Sequence, residues 1–297
     1  MRSDQSLSIS HDQGTMTFSL AHDSDPLPDL PIERGRNGEG VGDWVPLQKH
    51  TFLAKYVEGT RQARKKFRQR IFIDLFCGPG RIQVKGEGST RHGGSLVGWQ
   101  HSRLSDAGFT ACLVGDLDAD RARACEARLK AFGAPVRAFE GAAEETVDLI
   151  LQAIPAGALC LAYLDPYNLQ YLSFSVIERL AKLEYVDFAV HFSTMDLRRN
   201  ILMELNPERT RFDLTAPGWR DHIDPMAFVR GDADEAFFDY WCELVKNLGF
   251  NISQRIPLVR DNGNRPLYHL VFFSRHPLPN RIWGDVAQGK NREFDFG

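Results

Sequence analysis

Ile71-Phe72-Ile73-Asp74-Leu75-Phe76-Cys77-Gly78-Pro79-Gly80 is the stretch that decides how the rest of the chain is read. It opens with a short apolar run fit for a buried strand, carries an acid at the strand end, and breaks into a Gly-Pro-Gly turn. A buried parallel strand running into a glycine-rich turn is where an α/β sheet lets its backbone approach a small molecule. Gly78 and Gly80 suit that approach because a Cβ at either position would block it.

The flanking sequence supplies the rest of such a sheet. Strands are expected over 109–115, 136–139, 157–164 and 186–192, and helices over 96–104, 119–132, 144–153 and 173–182. Ala122, Cys125 and Leu129 stand at helical spacing, and Gly133 stops their helix as a left-handed cap. The run 157–164 is continuously apolar, as in a strand covered on both faces. Five βα units argue for a parallel sheet with helices on both faces. The pattern breaks over 193–231, with a short helix at 197–205 and a polar loop around Trp219, read as an insertion capping the site. A helix over 234–248 then leads to strands over 252–259 and 267–274. They are joined across Asp261-Asn262-Gly263-Asn264, an antiparallel hairpin signal. The expected fold class is therefore α/β: the Rossmann-like class I methyltransferase fold, a mostly parallel seven-stranded sheet with a C-terminal hairpin.

Residues 1–42 are rich in Ser, Asp, Gly and Pro and poor in aromatics, so a disordered tail is expected ahead of one domain over 43–297. That domain begins with a helix over 47–68, whose apolar face carries Phe52, Leu53 and Tyr56. Its basic end, 61–70, reads either as a solvated face or as a phosphate contact. The net charge of -3 gives no global sign of a nucleic-acid or membrane-surface binder. No apolar run approaches the roughly 20 residues that span a bilayer, and 1–20 has no leader-like apolar core. Cys77, Cys112, Cys125, Cys160 and Cys242 form no CxxC pair, which argues against a zinc site or disulfide framework and for a reduced, cytoplasmic protein.

The glycine turn excludes two nucleotide-binding motifs. Gln83 stands where G-x-G-x-x-G needs its third glycine, and no Gly-Lys-Ser/Thr follows for a P-loop. The turn instead resembles motif I of S-adenosylmethionine (SAM) enzymes. That resemblance implies that Asp74, Phe76, Gly78 and Gly80 hold the methionine end of the cofactor. Asp116, ending the next strand, is placed to accept two ribose hydroxyls, while Asp118 suits a helix cap. Glu140 or the backbone of Ala142 would sit near the adenine, and Lys49 would fold back over the cofactor.

Asp165-Pro166-Tyr167-Asn168 resembles the Asp-Pro-Pro-Tyr motif of amino-methyltransferases, one proline short, which moves Tyr167 one place closer. The resemblance implies that Asp165 and the Pro166 carbonyl accept hydrogen bonds from an exocyclic amine while Tyr167 stacks on the base. Asn168, Arg198 and Arg199 are candidate substrate contacts, the two arginines either a clamp or a helix's first turn; His191 reads as a structural histidine. No cysteine follows a proline, so the nucleophile of cytosine-C5 enzymes is missing.

Trp44, Lys49, Tyr56, the glycine turn, Gly94-Ser95, Tyr163-Leu164-Asp165-Pro166-Tyr167, Asp196-Leu197-Arg198-Arg199-Asn200, Leu267-Tyr268-His269-Leu270 and Trp283 together resemble the three-Cys-motif partner family, TcmP. The likeness runs from about Asp43 to the C-terminus. It implies a SAM-methyltransferase-like bacterial or phage-associated protein that works beside a cysteine-motif, radical-SAM-like partner. Some members run longer, so no further C-terminal domain is expected here. The leading expectation is SAM-dependent N-methylation of a nucleic acid or nucleotide. The alternatives are a non-catalytic partner subunit on the same fold, and a nucleotide enzyme such as a nuclease, which lacks its metal-ligand cluster here.

Overall fold

The computed structural model describes residues 24–35 and 37–289. Its main sheet is built around β1 (Arg70–Asp74). A short hairpin, β2 (Arg81–Gln83) and β3 (Thr90–His92), follows the glycine turn. The remaining parallel strands are β4 (Ala111–Asp116), β5 (Val136–Glu140), β6 (Leu159–Leu164) and β7 (Tyr185–Phe192). The sheet closes with β8 (Asn251–Ile252), β9 (Leu258–Arg260) and β10 (Pro266–Ser274). Its order is β5-β4-β1-β6-β7-β10-β8, with β9 also on β10. In this sheet β10 alone is reversed, pairing antiparallel with β7, β8 and β9, so the architecture is the Rossmann-like class I methyltransferase fold.

The alternation of β1 sorts the core onto two faces. Ile71 and Ile73 face one layer with Leu164, Phe188 and Trp241; Phe72 faces the other with Tyr56, Trp99 and Trp283. Parallel strands put all their C-terminal ends on one edge, so Asp74, Asp116, Glu140 and Asp165 gather there.

Five expectations are modified. The helix expected over 47–68 starts at Val45 as a π-helical turn, continues as Thr51–Gly59, and restarts over Arg61–Lys65. Its basic end is not a solvated face throughout. Arg64 is buried and donates to the Ala107 carbonyl (2.9 Å), Arg70 donates to the Gly108 carbonyl (2.7 Å), and both lie at the N-terminal end of β1, opposite the gathered acids. The strand expected over 252–259 is split into β8 and β9, because Pro257 has no N–H for the ladder; only its carbonyl accepts, from Leu270 (2.9 Å).

The fourth concerns the N-terminal tail. Residues 1–23 lie outside the described residues, but 24–35 and 37–42 are held rather than disordered. Glu33 and Val41 exchange backbone hydrogen bonds of 2.8–2.9 Å with β2 and its continuation, and Asp25 pairs with Arg128. The insertion over 193–231 packs Phe212 and Trp219 against Phe237, so its centre is apolar, not a polar loop. Among the described residues no helix is long and apolar enough to cross a membrane.

Packing at the sheet centre gives a stability prediction. Phe188 is fully buried and stacks on Phe273 at 4.6 Å, edge-on to Phe250 at 5.4 Å. Phe188→Ala is expected to cost about 3–5 kcal/mol in urea unfolding. Leu202, 59% exposed, is expected to change stability by no more than about 0.5 kcal/mol when replaced by Ala. Similar costs for the two substitutions would contradict this packing.

Candidate active site

One cavity of about 1020 Å³ opens at the C-terminal edge of β1, β4 and β6. Its lining joins the turn 76–80, Asp116–Asp118, Ala142 and Ala143, Asp165–Tyr167, Lys49, His191 and Tyr268. The turn is shaped by two left-handed glycines, Gly78 at φ +55° and Gly80 at φ +82°. A Cβ on Gly80 would meet Cys125 Cα at 3.3 Å, so both conformation and space call for glycine.

At one end of the cavity sits Asp116. Each of its oxygens accepts one backbone hydrogen bond, from Gly78 (2.9 Å) and Asp118 (3.0 Å), which leaves lone pairs for a ligand. Burial pushes its carboxyl above the usual range, against those hydrogen bonds and the Arg121 charge. Asp118 caps the helix Ala119–Ala131, as its sequence position implies.

Asp74 lies behind the turn and does not line the cavity. Its carboxylate accepts from the Phe76 N–H (3.0 Å) and the Ser95 hydroxyl (2.6 Å), so it holds the loop's shape. Burial pushes its carboxyl up to about 7, against both hydrogen bonds. Phe76, Gly78 and Gly80 do line the cavity.

At the other end, Asp165 is fully engaged. Lys49 donates to both of its oxygens (2.7 and 2.9 Å), the Tyr163 hydroxyl to one (3.1 Å), and His191 Nδ1 lies 2.8 Å from the other. Burial pushes the Asp165 carboxyl up, but Lys49 and His191 outweigh it and hold it well below the usual carboxylate range. His191 is pushed below its ordinary value by burial, against the pull of Asp165. His191 therefore works next to the acid, where sequence alone reads only a structural histidine. Lys49 belongs to Asp165 rather than lying free over a cofactor. His50 also lines the cavity; burial pushes its imidazole down to about 3, and its Nδ1 has no protein partner.

Tyr167 is 61% exposed at the cavity mouth, beside Tyr171 and Leu214. The loop carrying it is pinned by the insertion: buried Asp196 accepts from the Leu169 N–H (3.0 Å) and from Arg211 (2.8 Å), and Thr215 donates to the Leu169 carbonyl (2.8 Å).

Besides Asp74, four residues expected at the site lie off the cavity. Glu140 is drawn outward by Arg123 (2.7 Å), and Ala142 takes its place in the lining. Arg198 pairs with Asp234, Arg199 is exposed, and Asn168 sits beside the lining without joining it. Residues that sequence reasoning missed include Glu33, Val41, His50, Arg121 and Leu214. Glu33, Val41 and Leu214 are far along the chain from the motifs and only the fold brings them near, whereas His50 and Arg121 stand close to Lys49 and Asp116 with no motif of their own.

No family model and no curated protein matches this sequence, so the likeness to the three-Cys-motif partner family stays one of motifs. Among solved structures, an O-methyltransferase from Bacillus cereus in complex with SAH is 9% identical, with 84% of this chain and 86% of that one covered at a TM-score of 0.47. A protein from Legionella pneumophila is 10% identical over 80% and 91% of the two chains, at 0.46. The O-methyltransferase TomG from Streptomyces achromogenes, involved in tomaymycin synthesis and in complex with SAM, is 13% identical over 74% and 78%, at 0.41.

The Asp74 environment predicts a pH dependence. Its folded-state carboxyl is raised from 3.8 to about 7, so its contribution to stability is present below about 3.8 and is lost as pH rises through about 7. Asp74→Asn mimics the protonated acid and removes that loss. The variant's unfolding midpoint, measured against wild type from about pH 4 to about pH 8, should gain steadily. Buried Asp187, raised to about 6 by burial, has the same sign but cancels in the comparison. A gap that shrinks with pH would refute the assignment.

Proposed function

We propose that this chain is a SAM-dependent methyltransferase. The observation that carries the reading is the single cavity with a ribose-type acid and glycine turn at one end and the Lys49–Asp165–His191 cluster at the other. The residues fit the cofactor. Gly78 and Gly80 give the turn its left-handed shape along the cavity wall, Asp116 keeps lone pairs for vicinal hydroxyls, and exposed Leu117 with Ala142 offers apolar surface to a purine. When bound, the cofactor supplies an electrophilic methyl group on a sulfonium.

The acceptor we propose is a nitrogen of a nucleotide or nucleic acid. Tyr167 and Tyr171 support this by presenting exposed aromatic rings at the mouth, suited to stacking on a planar base. Asp165 then acts differently from its counterpart in Asp-Pro-Pro-Tyr enzymes. Its oxygens already accept three hydrogen bonds from Lys49 and Tyr163 and face His191, so its role is to fix those groups at the cavity floor. The Pro166 carbonyl and neutral His191 are left to orient the acceptor, and orientation is where rate is gained in an in-line transfer. A working partnership with a three-Cys-motif protein rests on the motif resemblance. The self-satisfied Asp165 cluster also favours a second reading, a SAM-binding subunit that does not turn over.

Calorimetry with SAM tests the cofactor. Wild type should bind, and Asp116→Ala should bind about tenfold or more weakly, since a hydrogen bond to a charged group contributes about 1.5–3 kcal/mol. Failure of folded wild type to bind would remove the reading. Tritiated-methyl transfer to cellular RNA, DNA and protein extracts tests turnover. Asp165→Asn should transfer partially and Asp165→Ala almost not at all, both with near-normal SAM affinity. Binding without transfer to any acceptor would put the non-catalytic reading first.

A further inference from the structure

We infer that the N-terminal strap, residues 24–35 and 37–45, is a latch that completes the cofactor end of the cavity, with Arg128 as the positioning residue that holds it shut. The identity of the ligand under the latch rests on the methyltransferase reading; the latch itself rests on geometry.

Arg128, on the helix Ala119–Ala131, has no exposed surface. Its guanidinium reaches in two directions. On one side it donates to the Pro79 carbonyl (2.7 Å), inside the Gly78-Pro79-Gly80 turn. On the other it donates to the carbonyls of Leu27 (3.0 Å), Leu30 (3.1 Å) and Pro31 (2.7 Å), and to both oxygens of Asp25 (3.1 and 2.9 Å). One buried cation thus ties the glycine turn to the strap.

Two further contacts continue the seam. Glu33 and Val41 pair with β2 and its continuation through four backbone hydrogen bonds of 2.8–2.9 Å. The Glu33 carboxylate pairs with Arg121, whose Nε lies 3.8 Å from Asp116. Glu33, Gly35, Val41, Trp44 and Val45 then form a cavity wall shared with the glycine turn and Asp116–Asp118. A ligand on Asp116 and the turn therefore sits against the strap as well as the sheet.

The contacts also show why this wall would move as a unit. The strap is fastened by charge and backbone hydrogen bonds with little apolar burial, the profile of an element that opens locally at low cost. Opening leaves Arg128 without Asp25 and three carbonyls, so half-open states are disfavoured and closed and open are distinct. A bound ligand that touches the closed wall shifts the balance toward closure.

The test uses the full-length protein with SAH (S-adenosylhomocysteine) as probe. In hydrogen exchange read by mass spectrometry, peptides covering Glu33 and Val41 should exchange at least tenfold more slowly with saturating SAH than without. In Asp25→Asn/Glu33→Gln, SAH should dissociate at least tenfold faster than from wild type. A strap that is only part of the scaffold would leave both SAH readouts unmoved, which overturns the latch. Because the exchange measurement needs no variant, a poorly folding mutant does not blunt it. SAH binding without a strap response sinks the latch alone, whereas no SAH binding by folded wild type sinks the cofactor reading together with it.

Discussion

Lys49 and Asp165 are separated by 116 residues and buried against one another, and neither charge would tolerate its position alone. Removing one partner of such a pair typically costs about 3–5 kcal/mol, because the other is left charged in a low dielectric. The pair therefore does more than add a contact. It fixes the π-helical turn Val45–His50 over the end of β6, which brings His50 and Trp44 to the cavity and sets the floor beside His191 and Tyr268. A hydrophobic pair of the same size would hold the helix equally well. A retained ion pair at the end of a central strand is better explained by chemistry at that point than by stability.

Three carboxylates end three adjacent strands, yet their surroundings push them apart. Asp74 is buried with neutral donors only and is pushed toward its protonated form. Asp165, less buried than Asp74, faces two cationic or potentially cationic groups and stays ionised. Asp116 is partly open and keeps unused lone pairs toward the cavity. The same residue type thus stands as a loop brace, an electrostatic anchor and a carboxylate with free lone pairs at the cavity. The division is set by what each strand end faces, not by its distance from the glycine turn.

This also marks what the sequence can convey. The strand ends, the glycine turn and the order of βα units are local patterns of apolar runs and breakers, and they are legible as such. The place of Asp116 at the cavity follows from its position at a strand end. The partners of Asp165 do not, because Lys49 and His191 arrive from other elements and no local spacing records the encounter. Glu140, Arg198 and Arg199 misled for the same reason: each is near a strand end in sequence, but Arg123 and Asp234 draw two of them outward, and Arg199 faces solvent. Proximity along the chain locates a residue within a turn or so, and side-chain direction then depends on charges elsewhere.

The N-terminal strap is the sharpest instance. Its composition offers too little apolar surface to offset the entropy of ordering, and the inference of disorder follows from that balance. What the balance omits is a receptor already built for it. Arg128, sunk into the helix after β4, needs acceptors to be buried at all, and the strap's carbonyls and Asp25 supply them. Order here comes from satisfying a cation that belongs to the domain, so its energetic reason lies outside the segment that becomes ordered. The same cation grips Pro79 in the glycine turn. Ordering the strap and shaping the cavity are consequently one electrostatic event, and a strap held in this way senses the state of the turn beneath it.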